Sequence, residues 1–267
     1  MEHNTMLIPQ INIRTKNWTC RITIIEDISI LTAATGLRIK RYVLADDEGI
    51  QVSATIFGSH IPILSQRLQL FTVHKITNAQ VRFVETQYRI VDNQYQWVLQ
   101  RDTLIRPIPD AVPNLSNFLN NLTPISVIFS NQRPKTNNFE IMGAVIAYED
   151  PTNVVADGKL KKIQRFTFVD MEMILICITL WDEMTDSQGP LLMEASNSKA
   201  VVVAKRLGFS TYNGTSLVAR NSTSFTINPP IEAALNFKSW VESRTDAELR
   251  SMLVDQSLSR SKQRVDE

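Results

Sequence analysis

The chain has 267 residues and a mass of 30.3 kDa, which suits one large domain or two ordinary domains, each with a buried core. Its 43% hydrophobic and 21% charged residues are typical of a globular protein, and no apolar run approaches the roughly 20 residues that cross a bilayer. The net charge of +1 excludes binding of a polyanion by overall charge, so any such binding would need local clusters of cations.

Short alternating runs rich in Ile, Val, Thr and Phe predict mainly β-structure in two sets. About five strands in each set, over about 100 residues, indicate two small barrels or sandwiches. The first set is Thr19–Ile25, Ile39–Ala45, Ile50–Phe57, Phe71–Val84, Tyr88–Val91 and Tyr95–Leu99. The second set is Glu140–Tyr148, Ile163–Val169, Ile174–Trp181, Ala200–Leu207, Ser216–Ala219 and Ser224–Asn228.

The segments between and after these sets predict a linker and short helices. The Pro- and Asn-rich stretch between the sets suits a linker with one short helix at Leu115–Leu122. A helix is expected at Glu232–Trp240, and Thr245 with Glu248 forms a capping box for a last short helix. We therefore predict a first domain at 1–109, a linker at 110–137, a second domain at 138–241, and a short helix with a loose tail at 242–267.

The two sets share an internal repeat. An arginine, an aspartate, an aromatic residue and a tyrosine follow one another at intervals of 5, 11 and 31 residues in each set, and each set ends in Ile-x-Pro. Such agreement in spacing predicts duplication of one domain. The repeated residues are Arg41, Asp46, Phe57, Tyr88 and Ile105–Pro107 in the first set, and Arg165, Asp170, Trp181, Tyr212 and Ile227–Pro229 in the second.

Strand alternation predicts which face carries the repeated aromatic residues. In the first set the core face is expected to hold Ile50, Val52, Ala54 and Ile56, which leaves Phe57 on the more polar face. In the second set the same alternation places Trp181 in phase with Thr179, away from the core positions Ile174, Ile176, Ile178 and Leu180. A loop or the linker could cover such a ring, but recurrence at matched positions favours a functional surface. Exposed rings stack on nucleobases with roughly 1–3 kcal/mol each.

Several cations lie near the same positions. A single Lys or Arg is usually solvated surface, and a run of them often marks a solvated hairpin edge. Next to repeated aromatic residues, however, the same charges predict a groove that follows a phosphate backbone. The candidate backbone contacts are Arg41, Arg82, Lys161, Lys162, Arg165, Lys205 and Arg206.

Several segments resemble the tandem DNA-binding OB domains of the replication protein A large subunit. The first half is similar to the first high-affinity domain at Trp18–Ile22, Leu44–Gly49 and Ala54–Phe57. The second half is similar to its neighbour at Ile141–Val145, Thr179–Trp181, Tyr212–Leu217 and Ile227–Trp240. The resemblance covers nearly the whole chain and implies an all-β protein of two tandem five-stranded OB-fold barrels with short helices. It also implies single-stranded DNA as the ligand, other replication protein A-like subunits as partners, and the nucleus as the location.

Carried over by position, the resemblance implies stacking roles for Phe57, Tyr88, Trp181 and Tyr212, with tyrosine at two positions where the family usually has phenylalanine. Arg82 matches a basic DNA-contacting position. Ser53 stands where the family often has a contacting arginine, and Gln96 where it often has an acidic residue, which predicts weaker binding by the first domain. The family's N-terminal interaction domain and zinc-bearing third domain find no match, so a short two-domain relative of the kind seen in plants is expected.

The sequence favours a binding protein over an enzyme. The three histidines lie in no catalytic motif, and neither GxxxxGK[ST] nor GxGxxG occurs to hold a nucleotide. Cys20 and Cys177 lie far apart, so no zinc site, disulfide framework or other cofactor is predicted, and Met1–Gln10 lacks the pattern of a signal peptide. The alternative function is a protein-interaction module with little affinity for nucleic acid, since OB barrels also serve as scaffolds. RNA remains open as a ligand because stacking does not read the sugar.

Overall fold

A computed structural model of the chain describes residues 4–131, 133–212, 214–249 and 251–253. The chain divides into two compact units, with the boundary between Asn120 and Asn121. Each unit has its own β-sheet and its own hydrophobic core. In the part of the chain that the structure describes, no helix is both long enough and apolar enough to cross a membrane.

The first unit contains eight strands and one short α-helix within its described residues. Three short 3-10 turns accompany them, at Ile8–Gln10, Gly58–His60 and Thr86–Tyr88. The strands are β1 (Asn4–Thr5), β2 (Trp18–Thr32), β3 (Arg38–Ala45), β4 (Gln51–Phe57), β5 (Val73–Thr77), β6 (Gln80–Phe83), β7 (Tyr95–Val98) and β8 (Leu104–Pro107), and the helix is α1 (Ile61–Ser65).

The first sheet curls into an OB barrel. Strand β2 pairs with β3 and with β5, β3 pairs with β4, and β4 runs parallel to β7. The circle is completed by β6, which pairs with β7 and is separated from β5 only by Asn78 and Ala79. Asn78 has a φ of 55°, in the left-handed region, so the chain turns there from one barrel neighbour to the next.

Alternating apolar residues of these strands fill the first barrel. Val52, Ala54 and Ile56 are fully buried, as the alternation predicts, and Trp18 packs against Trp97 with ring centroids 4.6 Å apart. The prediction for Ile50 is wrong, because this residue precedes β4 in the turn and is 41% exposed.

The segment after β8 also belongs to the first unit. Phe118 is buried and meets Phe71 edge to face, with ring centroids 5.7 Å apart. The Asn114 backbone N–H donates to Thr23 Oγ1 (3.1 Å), and the Asn114 side-chain amide donates to the Asp47 carbonyl (2.8 Å). Residues predicted as part of a linker therefore pack against the first barrel. The domain and linker bounds themselves stay a prediction.

The second unit has seven strands and four helices among its described elements. Further helical residues lie at 246–249 and 251–253. The strands are β9 (Phe139–Tyr148), β10 (Thr152–Ala156), β11 (Lys159–Val169), β12 (Leu175–Trp181), β13 (Val201–Ser210), β14 (Ser216–Val218) and β15 (Ser224–Ile227). The helices are α2 (Ile125–Phe129), α3 (Glu183–Ser187), α4 (Gly189–Asn197) and α5 (Glu232–Glu242).

The second sheet is a closed OB barrel of five strands. Strand β9 pairs with both β11 and β13, β11 pairs with β12, β12 runs parallel to β14, and β14 pairs with β13. The core inside includes Phe166, Ile178, Leu180 and Leu217, all fully buried, and α2 adds Ile125. Strands β10 and β15 extend the sheet outside this circle.

A second apolar cluster lies on the outside of this barrel, under the C-terminal helices. Phe237 and Val241 of α5 pack there with Val169 and Val201. The capping box is confirmed: the Glu248 N–H donates to Thr245 Oγ1 (3.2 Å), and the Thr245 N–H donates to Glu248 Oε2 (2.7 Å). The Thr245 N–H and the Thr245 hydroxyl both donate to the Glu248 carboxylate, which lowers its pKa. The loose tail predicted at the end of 242–267, from Ser257 onward, lies outside the described residues.

The repeated aspartates hold matching turns in the two barrels. Asp46 Oδ1 accepts from the N–H groups of Glu48 (3.1 Å) and Ile50 (2.9 Å). Asp170 Oδ1 accepts from those of Glu172 (3.0 Å) and Ile174 (2.9 Å). The same carboxylate thus closes the same hairpin 124 residues later, which agrees with duplication of one domain.

Other local predictions are corrected by the structure. Residues 115–122 contain turns instead of a helix, and Tyr88–Val91 contains the end of a 3-10 turn instead of a strand. The predicted strand Phe71–Val84 is split into β5 and β6. The two Ile-x-Pro motifs are not equivalent, because Pro107 ends β8 whereas Pro229 follows β15 by two residues.

His74 of β5 is a buried titratable group in the first barrel. Its Nε2 lies 2.7 Å from Thr72 Oγ1, whose own hydroxyl donates to the Gln69 carbonyl (2.6 Å). The histidine therefore carries its proton on Nε2, and the buried Nδ1 has no hydrogen-bond partner among the described residues. Burial lowers the pKa of His74 below its ordinary value of 6.5, because a charged ring is poorly solvated there.

We expect His74→Gln to make the stability of the first unit less sensitive to acid. In wild type the unfolded chain takes up this proton more readily than the folded chain, so stability falls as the pH drops below 6.5 toward the lowered folded pKa. The measurement is amide hydrogen exchange in β2 and β5 at increasing urea concentrations, at pH 7.0 and at pH 5.5. It gives the urea concentration at which the first unit is half unfolded at each pH. His60→Gln is the matched control. An equal drop of the urea midpoint from pH 7.0 to pH 5.5 in wild type and in His74→Gln would contradict the assignment of this acid sensitivity to His74.

Candidate nucleic-acid interface

One outward face of the second barrel forms the floor of a groove. In the pairing of β11 with β12, Ile163 lies opposite Trp181 and Arg165 lies opposite Thr179. Thr179 also pairs with Val218 of β14. Side chains alternate along a strand, so these five share one face while the intervening residues fill the core.

Two walls rise beside this floor. The hairpin between β10 and β11 supplies Val154 and Asp157, and the connection from β13 to β14 supplies Tyr212 and Thr215. The enclosed groove has a volume of about 590 Å³. Trp181 is partly buried in it, whereas Tyr212 is 81% exposed. The structure thus brings together three residues that the sequence predicts for the site: Arg165, Trp181 and Tyr212.

The first barrel repeats this arrangement in the same strand register. Ile39 lies opposite Phe57, and Arg41 lies opposite Thr55, in the pairing of β3 with β4. Each of these residues is 124 positions before its counterpart in the second barrel. Phe57 is partly buried at the end of β4, as Trp181 is at the end of β12. Tyr88 is 62% exposed in the connection from β6 to β7, which corresponds to the connection that carries Tyr212.

Two polar residues of β4 on the same face as Phe57 are buried in the first barrel. Ser53 and Thr55 are buried at 5% and 2% exposure, and the Thr55 hydroxyl donates to Gln96 Oε1 (2.8 Å). Gln96 pairs with Ser53 on one side and with Arg82 on the other. Ser53 and Gln96, the two positions that differ from the family pattern, therefore lie in one row of polar residues across neighbouring strands. Arg82 is the next residue in this row.

The predicted cations of the second unit lie next to carboxylates. Lys161 Nζ is 2.6 Å from Asp182 Oδ2, and Lys162 Nζ is 2.6 Å from an Asp186 oxygen. The hydrogen bond from Lys161 is the largest cause of a lowered pKa at the Asp182 carboxyl. These pairs are partly exposed, and such pairs contribute about 0–1 kcal/mol, so a phosphate could compete for either lysine.

Lys205 and Arg206 do not lie at the interface, contrary to the sequence-based assignment. Their exposures are 3% and 4%, and Lys205 Nζ lies 3.8 Å from Glu140. Arg206, at a φ of 59°, donates from Nε to the Ser222 carbonyl (2.7 Å) and from a terminal nitrogen to Ser224 Oγ (3.0 Å). Buried and hydrogen-bonded within the barrel, the two side chains cannot reach a phosphate, so their role is structural.

Sequence reasoning missed several residues that line the second groove. Cys177 is in phase with Trp181 along β12, so the alternation that placed Thr179 could have found it. Glu149 follows β9 and accepts a hydrogen bond from Arg165 (2.9 Å). No local pattern indicates this contact, because Arg165 is on β11 and Glu149, 16 residues earlier, lies just after β9. In the part of the chain that the structure describes, no three His, Cys, Asp or Glu side chains converge to hold a metal ion.

Comparison with known proteins gives one family match and several similar proteins. A family described only as a domain of unknown function, DUF223, matches residues 9–131. Over 205 residues the chain is 23% identical to a 70 kDa DNA-binding subunit of replication protein A from Arabidopsis thaliana, covering 75% of this chain and 32% of that protein. Over 199 residues it is 23% identical to the corresponding 70 kDa DNA-binding protein of Gallus gallus, covering 74% and 31%. The matched region spans about a third of the length of these relatives.

A solved structure of a replication protein A heterotrimer bound to single-stranded DNA aligns with 89% of this chain and 55% of its own chain, at a TM-score of 0.71 and 20% identity. At this identity the likeness shows the fold. The chain is a tandem OB-fold protein, with one five-stranded barrel in each unit. Its sequence is similar to that of the 70 kDa DNA-binding subunits of replication protein A over about three quarters of this chain.

The two cysteines should differ in reactivity, which provides a test of the groove. Burial, followed by the charges of Asp46 and Asp47, raises the pKa of the Cys20 thiol to about 12. Cys177 is partly exposed and lines the groove. We expect one thiol of the folded protein to react with Ellman's reagent at pH 8, and both after denaturation. Cys177→Ser should abolish the native reaction, while two reactive thiols in the folded protein would contradict this assignment.

Proposed function

We propose that the chain binds single-stranded DNA in the grooves of its two OB barrels. The observation that carries this proposal is the pair of aromatic residues at equivalent register positions, Phe57 and Trp181, each beside an arginine on an outward barrel face. Bases would stack on these rings and on the exposed Tyr88 and Tyr212. The backbone would be held by Arg41, Arg82, Lys161, Lys162 and Arg165.

The comparisons support the same ligand. The relatives bear the name of DNA-binding subunits of replication protein A, and the heterotrimer that shares the fold was solved with single-stranded DNA. The proposal extends to a replication protein A-like role in DNA replication, repair or recombination in the nucleus, with other subunits of that kind as partners. Such a protein acts by binding and not by catalysis. Stacking tolerates any base sequence and does not by itself separate DNA from RNA.

The alternative function, a protein-interaction module, is favoured by one observation in the second unit. Lys161, Lys162 and Arg165 each have a carboxylate within 2.9 Å, and Glu149 and Asp157 also line the groove. A groove with compensated charge attracts a polyanion weakly over distance. Binding of DNA there would depend on the rings, so removing the rings separates the two functions.

The test is fluorescence anisotropy with a labelled oligothymidine of about 20–30 nucleotides, a length scaled from OB site sizes of about 4–16 nucleotides. Trp181→Ala/Tyr212→Ala should weaken binding by about 30-fold or more, since two stacking contacts contribute at least about 2 kcal/mol together. Phe57→Ala/Tyr88→Ala should weaken it as well. Phe129→Ala removes an exposed ring of α2 outside the groove and is the matched control.

Two outcomes would contradict different parts of the proposal. No binding by folded wild-type protein at low salt would overturn DNA binding and leave the protein-interaction module. Wild-type affinity in both double variants would overturn stacking as the means of binding. Circular dichroism of each variant shows whether the barrels remain folded.

A further inference from the structure

Four paired residues on neighbouring strands form one row across the outward face of the second barrel. Arg165 of β11 lies opposite Thr179 of β12, and Thr179 pairs with Val218 of β14. Val218 in turn lies opposite Gly208 of β13. The first three residues line the second groove. Because paired residues project from the same face of a sheet, the row crosses the floor of this groove and ends at a residue that has no side chain.

The guanidinium of Arg220 occupies the space above Gly208. A Cβ atom on Gly208 would lie 2.6 Å from Arg220 Nε, 2.6 Å from a terminal nitrogen of the same side chain, and 2.9 Å from Val218 Cγ2. The φ of Gly208 is not in the left-handed region, so the backbone itself does not require glycine at this position. Glycine within a strand often marks the close approach of another group, and here that group is the arginine.

The first barrel has an equivalent row, and the same position reaches its end. In strand order this row consists of Arg41, Thr55, Val98 and Gln80. Gln100 stands two residues after Val98, and its amide donates to Gln80 Oε1 (2.8 Å). Arg220 stands in the matching place, two residues after Val218. The framework therefore directs this side chain over the last strand of the row in both barrels, and in the second barrel the side chain is an arginine.

Arg220 has no acidic partner within the described residues. Its backbone N–H donates to Thr223 Oγ1 (2.8 Å), but its guanidinium has neither a hydrogen-bond acceptor nor a carboxylate at ion-pair distance among them. Arg165, at the other end of the row, donates to Glu149 (2.9 Å). Arg220 is partly exposed. Its charge can therefore meet a ligand on the floor of the groove without first breaking an ion pair.

We infer that Arg220 holds a phosphate of the bound strand at the β13 side of the second groove. Gly208 positions this arginine, because a side chain there would displace the guanidinium from the floor. The inference rests on the proposed function and adds a contact that the internal repeat does not predict, since the matching residue of the first barrel is Gln100. A strand lying across the row would then meet an arginine at each end, Arg165 on β11 and Arg220 over β13.

Arg220→Gln tests the phosphate contact by placing the first-barrel residue at this position of the full-length chain. A cation that neutralises one phosphate of a single strand contributes about 0.7 to the slope of log K against log salt concentration, so the variant should lower the wild-type slope by about 0.7. The measurement is anisotropy of the labelled oligothymidine from about 50 to about 200 mM salt, a range over which one such contact costs about 2.6-fold in affinity. Arg106→Gln removes an exposed cation of β8, a strand that carries none of the site residues, and should leave the slope unchanged.

Gly208→Ala tests how the guanidinium is positioned. The added methyl group should displace the guanidinium and lower the slope of wild type, but it should leave the slope of Arg220→Gln unchanged, because that variant has no charge to displace. Circular dichroism of each variant shows that the barrel is folded.

The outcomes separate this inference from the proposed function. A wild-type slope in Arg220→Gln would overturn the phosphate contact while DNA binding stands, even if the affinity falls, since a purely structural role does not change the number of phosphates neutralised. An unchanged slope in Gly208→Ala, or an equal fall in both backgrounds, would overturn the positioning of Arg220 by Gly208. Absence of binding by folded wild-type protein would overturn the proposed function instead.

Discussion

The register between the second and third strands of each barrel depends on one aspartate carboxylate. Asp46 and Asp170 close their hairpins through the same two backbone N–H groups. A slip of one residue in such a hairpin would exchange the core face and the outward face of the strand. Because both turns are held in the same way, Phe57 and Trp181 emerge at the same point of the two barrels. The arrangement of the candidate site is therefore a consequence of turn chemistry.

The sequence was informative where the signal is local. Strand alternation identified Val52, Ala54 and Ile56 as core and placed Phe57 on the other face, since alternation is a property of the strand itself. It was uninformative about Lys205 and Arg206, whose partners Glu140, Ser222 and Ser224 lie on other strands or turns. A cation has the same appearance in a sequence whether it is solvated or buried in a polar network. The fold was thus easier to predict than the charge of the groove.

The two units show how one duplicated framework can carry different chemistry. The backbone register is shared, while the side chains at equivalent positions differ, as Arg82 and Ser210 do. Helices α3 and α4 follow β12 in the second unit, where the first has a 3-10 turn and the short helix α1 after β4. The framework fixes where a strand of nucleic acid could lie. The side chains at equivalent positions decide how each groove would hold that strand. For this reason the fold alone does not establish the function.

The packing of residues after β8 has a practical consequence for dissecting the chain. Phe118 rests against Phe71, and Asn114 bonds to Thr23 and to the Asp turn. A fragment ending at residue 109 would expose Phe71 and leave the Thr23 hydroxyl and the Asp47 carbonyl without these partners. A fragment continued to Asn120 would retain the whole contact. A fragment designed to keep the contacts of the first barrel therefore includes a segment that contributes no strand to it.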